Sequence, residues 1–296
     1  MQRNDIKSSP LQPLLSLPAV LIVGVITQGL FLATIVFSLI KWIVVRPDLG
    51  IKFYWLKNYL KLFTSFETLQ VVGNTVFITV LSLAFCLVLG VAFSLMLNRT
   101  FAGINFLRTL MLMPFFMMDA VIGIIWKTLI LHPSFGIAGY FSTLLKSVPI
   151  DFLGEHAFLT VVMLIVWQWT PFFILIILAG LQGIDEQILD SAKVDGAGWF
   201  RTLFSVKLPS IMHHIEVAIM LGLIFILKVF GLIYVTTSGG PGYTTTNLPF
   251  LVYKINHLKW DVGEAASYAV LTVFLTLATI TVLFKYMQKK IAGAEG

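Results

Sequence analysis

Six long apolar runs punctuate the chain, near residues 15–40, 71–97, 106–131, 157–181, 212–236 and 265–287. Each is long enough to cross about 30 Å of hydrocarbon. Backbone groups in lipid must be satisfied within their own segment, so runs of this kind predict helices rather than strands. The polar intervals leave no block large enough for a separate soluble domain. The pattern therefore predicts one membrane domain over 1–296, an all-α protein with six transmembrane helices. Ahead of the first run, Pro10, Pro13 and Pro18 predict an extended approach to the span.

The most informative polar interval is the fourth, 184–210, which reads as two short helices joined by a glycine turn. Asp185 is a good N-cap, and Glu186 adds negative charge at the positive end of the helix dipole. Ile188, Leu189 and Ala192 share one side of the first helix. Asp195-Gly196 supplies a left-handed C-terminal turn that glycine enters at least cost. A second run follows, with Trp199, Phe200, Leu203, Phe204 and Val206 apolar and Arg201 and Lys207 charged, and Pro209 closes it. A helical hairpin with an apolar face outside the membrane needs a cover. That cover is its own chain, the lipid headgroups or a partner protein.

The other intervals say less. Lys52, Lys57 and Lys61 among Tyr54, Trp55 and Tyr59 predict a helix in the headgroup layer. The interval from His132 to His156 holds Pro133, Gly136, Gly139 and Pro149 and reads as turn-rich. The fifth, around Thr237 to Pro249, is rich in glycine and proline.

Composition agrees with the pattern. Of 296 residues, 58% are hydrophobic and 11% charged, and mean hydropathy is +0.94. A soluble domain carries roughly 25% charged residues. The net charge of +6 suits a surface against anionic lipid. No basic stripe with interleaved aromatics points to nucleic acid. The single cysteine, Cys86, lies within the second run and reads as a small packing residue. With both termini inside, ten Lys and Arg side chains fall on the inner side and eight on the outer, a small bias towards cytoplasmic termini.

Polar groups inside the runs are the candidate chemistry. An ionised Asp119 near the middle of the third run costs about 2.5–3.5 kcal/mol, so it needs a partner, water or a proton. Lys127 lies two turns on, out of direct reach, and Lys228 is in the fifth run. These groups suit a polar cavity along a translocation path, but snorkelling lysines and a protonated structural acid are the plainer account. Trp126, Gln168 and Trp169 combine hydrogen bonding with flat aromatic faces, which suits sugar-like ligands. Pro114 and Pro171 interrupt their runs and free backbone groups, as in cavity-lining helices. No nucleotide-binding phosphate loop, nucleophile elbow or helical pair of metal ligands occurs, so no cofactor, metal or catalytic residue is expected.

The hairpin resembles the EAA motif of binding-protein-dependent ABC importer permeases, E-A-A-x3-G-x9-I-x-L-P. Asp190, Ser191, Ala192, Gly196, Val206, Leu208 and Pro209 stand at those positions with the spacing intact. Asp replaces Glu, Ser replaces Ala and Val replaces Ile, each a conservative departure. Trp55 to Tyr59 followed by Asn74-Thr75, and Trp167 to Phe172 followed by Ala179-Gly180-Leu181, are similar to the carbohydrate-importing members. Thr237-Ser238-Gly239-Gly240-Pro241-Gly242 resembles the T-G-G-P-G segment of the first permease of the pair, maltose and glycerol-3-phosphate type. Thr245-Thr246-Asn247-Leu248 with Asp261-Val262-Gly263 is similar to sorbitol/mannitol members.

The resemblance implies a type I ABC importer permease fold in the bacterial inner membrane. It implies a heterodimer with a second permease, two ATP-binding cassette subunits and an extracytoplasmic substrate-binding protein. The hairpin, with Asp190, Ser191, Ala192, Asp195, Gly196, Val206, Leu208 and Pro209, then couples to an ATPase subunit and is cytoplasmic. Two alternatives remain on the residues alone. A proton-coupled secondary transporter would use Asp119 as carrier but leaves the hairpin idle and lacks matched interrupted helices in its halves. An intramembrane enzyme lacks a nucleophile or metal set.

Overall fold

A computed structural model describes the backbone over residues 12–292 and side chains over 17–285. Arg3, Lys7 and Pro10 lie outside the described residues, as do the side chains of Lys289 and Lys290. The chain forms two compact units, 1–64 with 252–271, and 65–251 with 272–296.

The first unit begins with helix α1, Gln12–Ser38. The extended approach expected from the prolines is not what forms. Pro13 sits at the second helical position, where no N–H is needed, and Pro18 is carried inside the helix. The window of α1 that is apolar enough to span a membrane has 0% of its residues buried. Strands β1, Ile40–Lys41, and β2, Lys52–Phe53, then form a short antiparallel hairpin with Ile40 opposite Phe53. The expected headgroup helix is thus confined to α2, Lys57–Thr64, because Trp55 takes a left-handed turn before it (φ 51°).

Side chains tie this unit together. Asn58 Nδ2 donates to the carbonyls of Ser38 and Ile40, both at 2.9 Å, and Ser38 Oγ and Tyr59 OH share a bond of 2.7 Å. Val262 N–H donates to Trp42 O at 2.9 Å. A Cβ at position 263 would run into the Ile40 carbonyl, which accounts for glycine there. Glu264, at the start of the last helix, has a side chain 10% exposed and accepts from Lys61 Nζ at 2.5 Å and Lys259 Nζ at 3.5 Å.

Burial alone would push the Lys61 ammonium down, but the hydrogen bond and charge of Glu264 outweigh it and raise its pKa. A raised lysine pKa contributes stability fully below the ordinary value, lost only as pH climbs through the raised one. Glu264→Gln is therefore expected to lower the thermal midpoint at neutral pH. The expected cost is about 1 kcal/mol, since both lysines are half in solvent. A midpoint unchanged between wild type and variant would show the pair to be idle.

The second unit is built on α3, Phe66–Leu97, α7, Ala157–Gln182, and α11, Met212–Leu227. Between them come α4, Ile104–Leu112, α5, Asp119–Ile124, and α6, Ile137–Leu144. Helix α6 lies in the interval that reads as turn-rich. Its Gly139 is pressed against the Pro133 carbonyl, so this glycine serves close packing and not a turn. Helices α8, α9 and α10 make the 184–210 interval, and α12, Gly231–Thr236, follows α11 after a break. Helix α13, Leu248–Lys254, and α14, Val262–Ala292, complete the chain.

Five stretches among the described residues are long and apolar enough to cross a membrane: Leu17–Ser38, Phe66–Leu97, Ala157–Gln182, Met212–Thr236 and Val262–Lys285. The expected third span, 106–131, is instead a bent pair, Ile104–Phe116 and Asp119–Ile130, meeting at 96°. The cause is local. Pro114 has no N–H to return to the Leu110 carbonyl, the chain tightens into a 3-10 turn over Met113–Phe116, and Met117 and Met118 are extended (ψ 141° for both). Counting the bent pair as one span gives six.

Helices α3, α7 and α11 close around Phe173, which is fully buried. A Cβ at Gly90 of α3 would stand 2.6 Å from Phe173 Cβ, and one at Gly222 of α11 would stand 2.9 Å from its ring carbon Cε2. Small residues let these backbones approach, and short polar bonds fix the register. Ser94 Oγ donates to Ile174 O at 3.2 Å and Cys86 Sγ to Val166 O at 3.8 Å. The glycine- and proline-rich loop is buried over residues 245–248, while Ser238, Pro241 and Gly242 are exposed. Asn74 Nδ2 donates to Tyr243 O at 2.6 Å, Leu248 N–H donates to Thr75 Oγ1 at 2.9 Å, and Asn247 Nδ2 donates to Val229 O at 2.6 Å.

Candidate functional site

The 184–210 interval forms a helical hairpin between α7 and α11. Helix α8, Glu186–Val194, starts at Asp185, whose side chain accepts from the Gln187 N–H at 2.9 Å. It ends in a Schellman turn. The Gly196 N–H returns to Lys193 O at 3.0 Å, the Ala197 N–H returns to Ala192 O at 2.9 Å, and Gly196 has φ +73°. The second arm runs from α9, Trp199–Thr202, through a wide π turn, Leu203–Lys207, into α10, Leu208–Ser210. Pro209 does not end this arm abruptly. Its missing N–H is accommodated by the π turn, and the chain passes through Ile211 into α11.

Ala192 is buried, and Val206 and Leu208 are half-buried. Leu203 is buried as well, but among the described residues nothing covers the remaining apolar surface: Val194 is 88% exposed, Phe200 71%, Phe204 63% and Trp199 57%. Asp190 and Lys193 form an exposed pair at 2.8 Å, and that hydrogen bond and charge hold Lys193 above its ordinary pKa. Ser191 Oγ turns inward to Gln187 O at 2.8 Å, and Asp195 stays exposed.

Of the polar groups inside the spans, the fold joins two from separate helices. Gln168 of α7 is 4% exposed, and its Nε2 donates to Asp119 Oδ1 at 2.8 Å and towards Met117 O at 3.4 Å. Asp119 is not in the middle of a straight span. It opens α5 just after the bend, where the helix dipole favours negative charge. A Cβ at Gly231 would stand 2.9 Å from Asp119 Cβ, so α12 comes close beside it. Trp169 stacks on Phe225, centroids 5.3 Å apart at 19°. Gln168 Oε1 and Trp169 Nε1 are buried with no hydrogen-bond partner among the described residues. Such orphaned atoms are costly and belong where a polar ligand or water can meet them.

Other candidates lie apart. Trp126 packs edge-on against Trp167 at 5.4 Å, and Lys127 Nζ donates to Val235 O at 3.2 Å. Lys228 is exposed at the C-terminal end of α11, and no bond joins it to Asp119 among the described residues. Pro114 and Pro171 line one apolar cleft of about 440 Å3, and α7 stays helical through Pro171. Glu216, 7% exposed in α11, is a buried carboxylate that sequence reasoning missed, although a lone acid inside an apolar run is a visible signal. Among the described residues no group of three or more His, Cys, Asp or Glu side chains could hold a metal.

The sequence matches the family described as "Binding-protein-dependent transport system inner membrane component" over residues 11–292, through both units. The chain belongs to that family. It is 32% identical over 235 residues to the trehalose/maltose transport system permease protein MalF of Thermococcus litoralis, covering 79% of each chain. It is also 32% identical over 243 residues to an ABC transporter permease protein of Sinorhizobium fredii, covering 82% of this chain and 78% of that one. A crystal structure of a bacterial alginate ABC transporter, in complex with alginate pentasaccharide-bound periplasmic protein, shares the fold. The TM-score is 0.75 at 20% identity, over 95% of this chain and 96% of that one.

This inner membrane component is therefore a permease subunit of the type I fold, working in a transport system that depends on a binding protein. Its role is that of the membrane channel part and not of an ATPase. The proton-coupled alternative is not favoured.

Proposed function

We propose that this permease imports a sugar or polyol, pairing with a second, different permease while two ATP-binding cassette subunits drive the cycle. The hairpin 184–210 docks into one of those subunits, which puts it and both termini in the cytoplasm. An extracytoplasmic binding protein delivers the solute to the opposite side. The observation that carries this reading is the apolar hairpin face left open around a glycine turn, with Asp190, Ser191, Ala192, Asp195, Gly196, Val206, Leu208 and Pro209 forming its frame. Asp119, Gln168 and Trp169 border the path, with Trp126 and Lys228 further along it. The carboxylate and the free Gln168 Oε1 accept from ligand hydroxyls, and Trp169 Nε1 donates to one. Relatives named for trehalose/maltose and for sn-glycerol-3-phosphate support a small polyhydroxylated solute.

The test uses the complex in proteoliposomes, with Cys86→Ser as background and radiolabelled maltose and sorbitol as probes. Uptake is expected to require ATP and the binding protein. A cysteine at Phe200 is expected to cross-link to the ATPase subunit, and cysteines at Asp119 and Gln168 to be shielded by the transported probe. Uptake that follows a proton gradient without ATP would overturn the reading. Unshielded cysteines at 119 and 168 would remove those residues from the path.

A further inference from the structure

A groove of about 460 Å3 lies where the second hairpin arm meets the end of α3. Val91, Leu95, Leu203 and Trp199 give it an apolar lining, and Asn98, Arg99 and Lys207 a polar one. Helix α3 is one of the membrane-crossing stretches and ends at Leu97, so Arg99 follows directly after its apolar run. Val88 and Met96, also lining the groove, are 65% and 60% exposed, and the groove continues a surface of α3 that is uncovered among the described residues.

The charges are not used elsewhere. No carboxylate lines the groove, and neither Arg99 nor Lys207 makes an ion pair among the described residues. The carbonyl end of α3, which would repel an anion, is already satisfied by another cation: Arg108 Nη2 donates to Leu97 O at 2.7 Å. Its occupant must be apolar along the span and anionic where the span ends. A soluble acidic peptide meets only the second condition.

We infer that this groove seats an anionic phospholipid, its acyl chain along Val91 and Leu95 and its phosphate between Arg99 and Lys207. Basic pockets at the ends of spans bind anionic headgroups by this combination of charge and apolar contact. The lipid then braces the second arm of the hairpin against α3. Such a site requires only that α3 crosses the bilayer, whichever side the hairpin faces.

Native mass spectrometry of the purified complex, delipidated and titrated with phosphatidylglycerol or phosphatidylcholine, tests the site. Phosphatidylglycerol is expected to be retained and phosphatidylcholine not. Arg99→Gln or Lys207→Gln should weaken retention about fivefold each and the pair roughly thirtyfold. Arg201→Gln, an exposed hairpin cation outside the groove, should change nothing. Ala92→Trp fills the groove without touching charge and should also expel the lipid. Three results would overturn the inference: full retention by the Arg99/Lys207 double variant, equal loss with Arg201→Gln, or displacement of the lipid by inorganic phosphate alone. So would an Ala92→Trp complex that loses a partner subunit and keeps its lipid.

Discussion

Gly196→Asp is expected to abolish coupling while leaving the permease folded. A Cβ at this position meets nothing within 4 Å, so the substitution has room. The left-handed backbone (φ +73°) costs an L-residue about 1–2 kcal/mol, and Asp is among the residues that tolerate it best. That alone does not unfold a helix pair secured by α7 on one side and α11 on the other. The larger effect falls on the partner. An unpaired charge forced into a desolvated interface costs about 2–5 kcal/mol, which is roughly thirtyfold or more in affinity. The assembled complex should lose co-purification of the ATPase subunit and substrate-stimulated ATP hydrolysis, with the circular dichroism of the permease unchanged. Gly196→Ala carries the backbone cost without the charge and should keep most of both. Retention of ATPase binding and stimulation by the Asp variant would mean that the hairpin docks elsewhere or not at all.

The parts of this fold that were legible in the sequence are those whose causes are local. Asp185, Asp195-Gly196 and the apolar positions between them determine the hairpin within a dozen residues, and the structure reproduces cap and turn. Hydropathy located the membrane stretches to within a few residues for five of the six runs. It could not report the bend of 96° in the third, because apolarity carries no direction. Pro114 marked a weak point, but only the 3-10 turn and the two extended methionines turn that weakness into a change of course.

Long-range pairings were invisible for a different reason. Asp119 and Gln168 each stand out as polar groups in apolar runs, yet nothing in their own segments says that they bond across 49 positions. Lys61 and Glu264, 203 positions apart, were not linked at all. Lys228 resembles Asp119 in the sequence because both are charges in apolar runs, yet the chain breaks at Val229–Phe230 and Lys228 ends exposed. Glycines misled where they serve packing. Gly139 looks like a turn residue until the Pro133 carbonyl beside it is seen.

Gly90→Val is expected to destabilise the packing inside the membrane unit. Its Cβ would lie 2.6 Å from Phe173 Cβ, a rigid atom next to backbone, so no rotamer change relieves the clash. Overpacking of this kind costs about 1–3 kcal/mol, with α3 and α7 forced apart along their length. Phe173→Ala alone leaves a cavity and costs about 3–5 kcal/mol. If the three helices close on this ring, Gly222→Ala, whose Cβ would stand 2.9 Å from the ring carbon Cε2, and Phe173→Ala compensate. Their double variant should be more stable than the sum of the singles predicts, by about 1 kcal/mol or more, whereas Phe173→Ala keeps the Cβ that Gly90→Val strikes and does not rescue it. Thermal unfolding of detergent-solubilised wild type, singles and double measures that coupling directly, and strict additivity would refute the clamp. The outcome bears on transport, because the hairpin hangs between α7 and α11 and the Phe173 contact is where both meet α3. On the proposed docking, a rigid clamp would pass a displacement of the hairpin up to Gln168, five residues before Phe173 on the same helix and bonded to Asp119. The compensated double variant should therefore fold well yet transport poorly, since a smaller side chain at 173 no longer carries α11 along with α7.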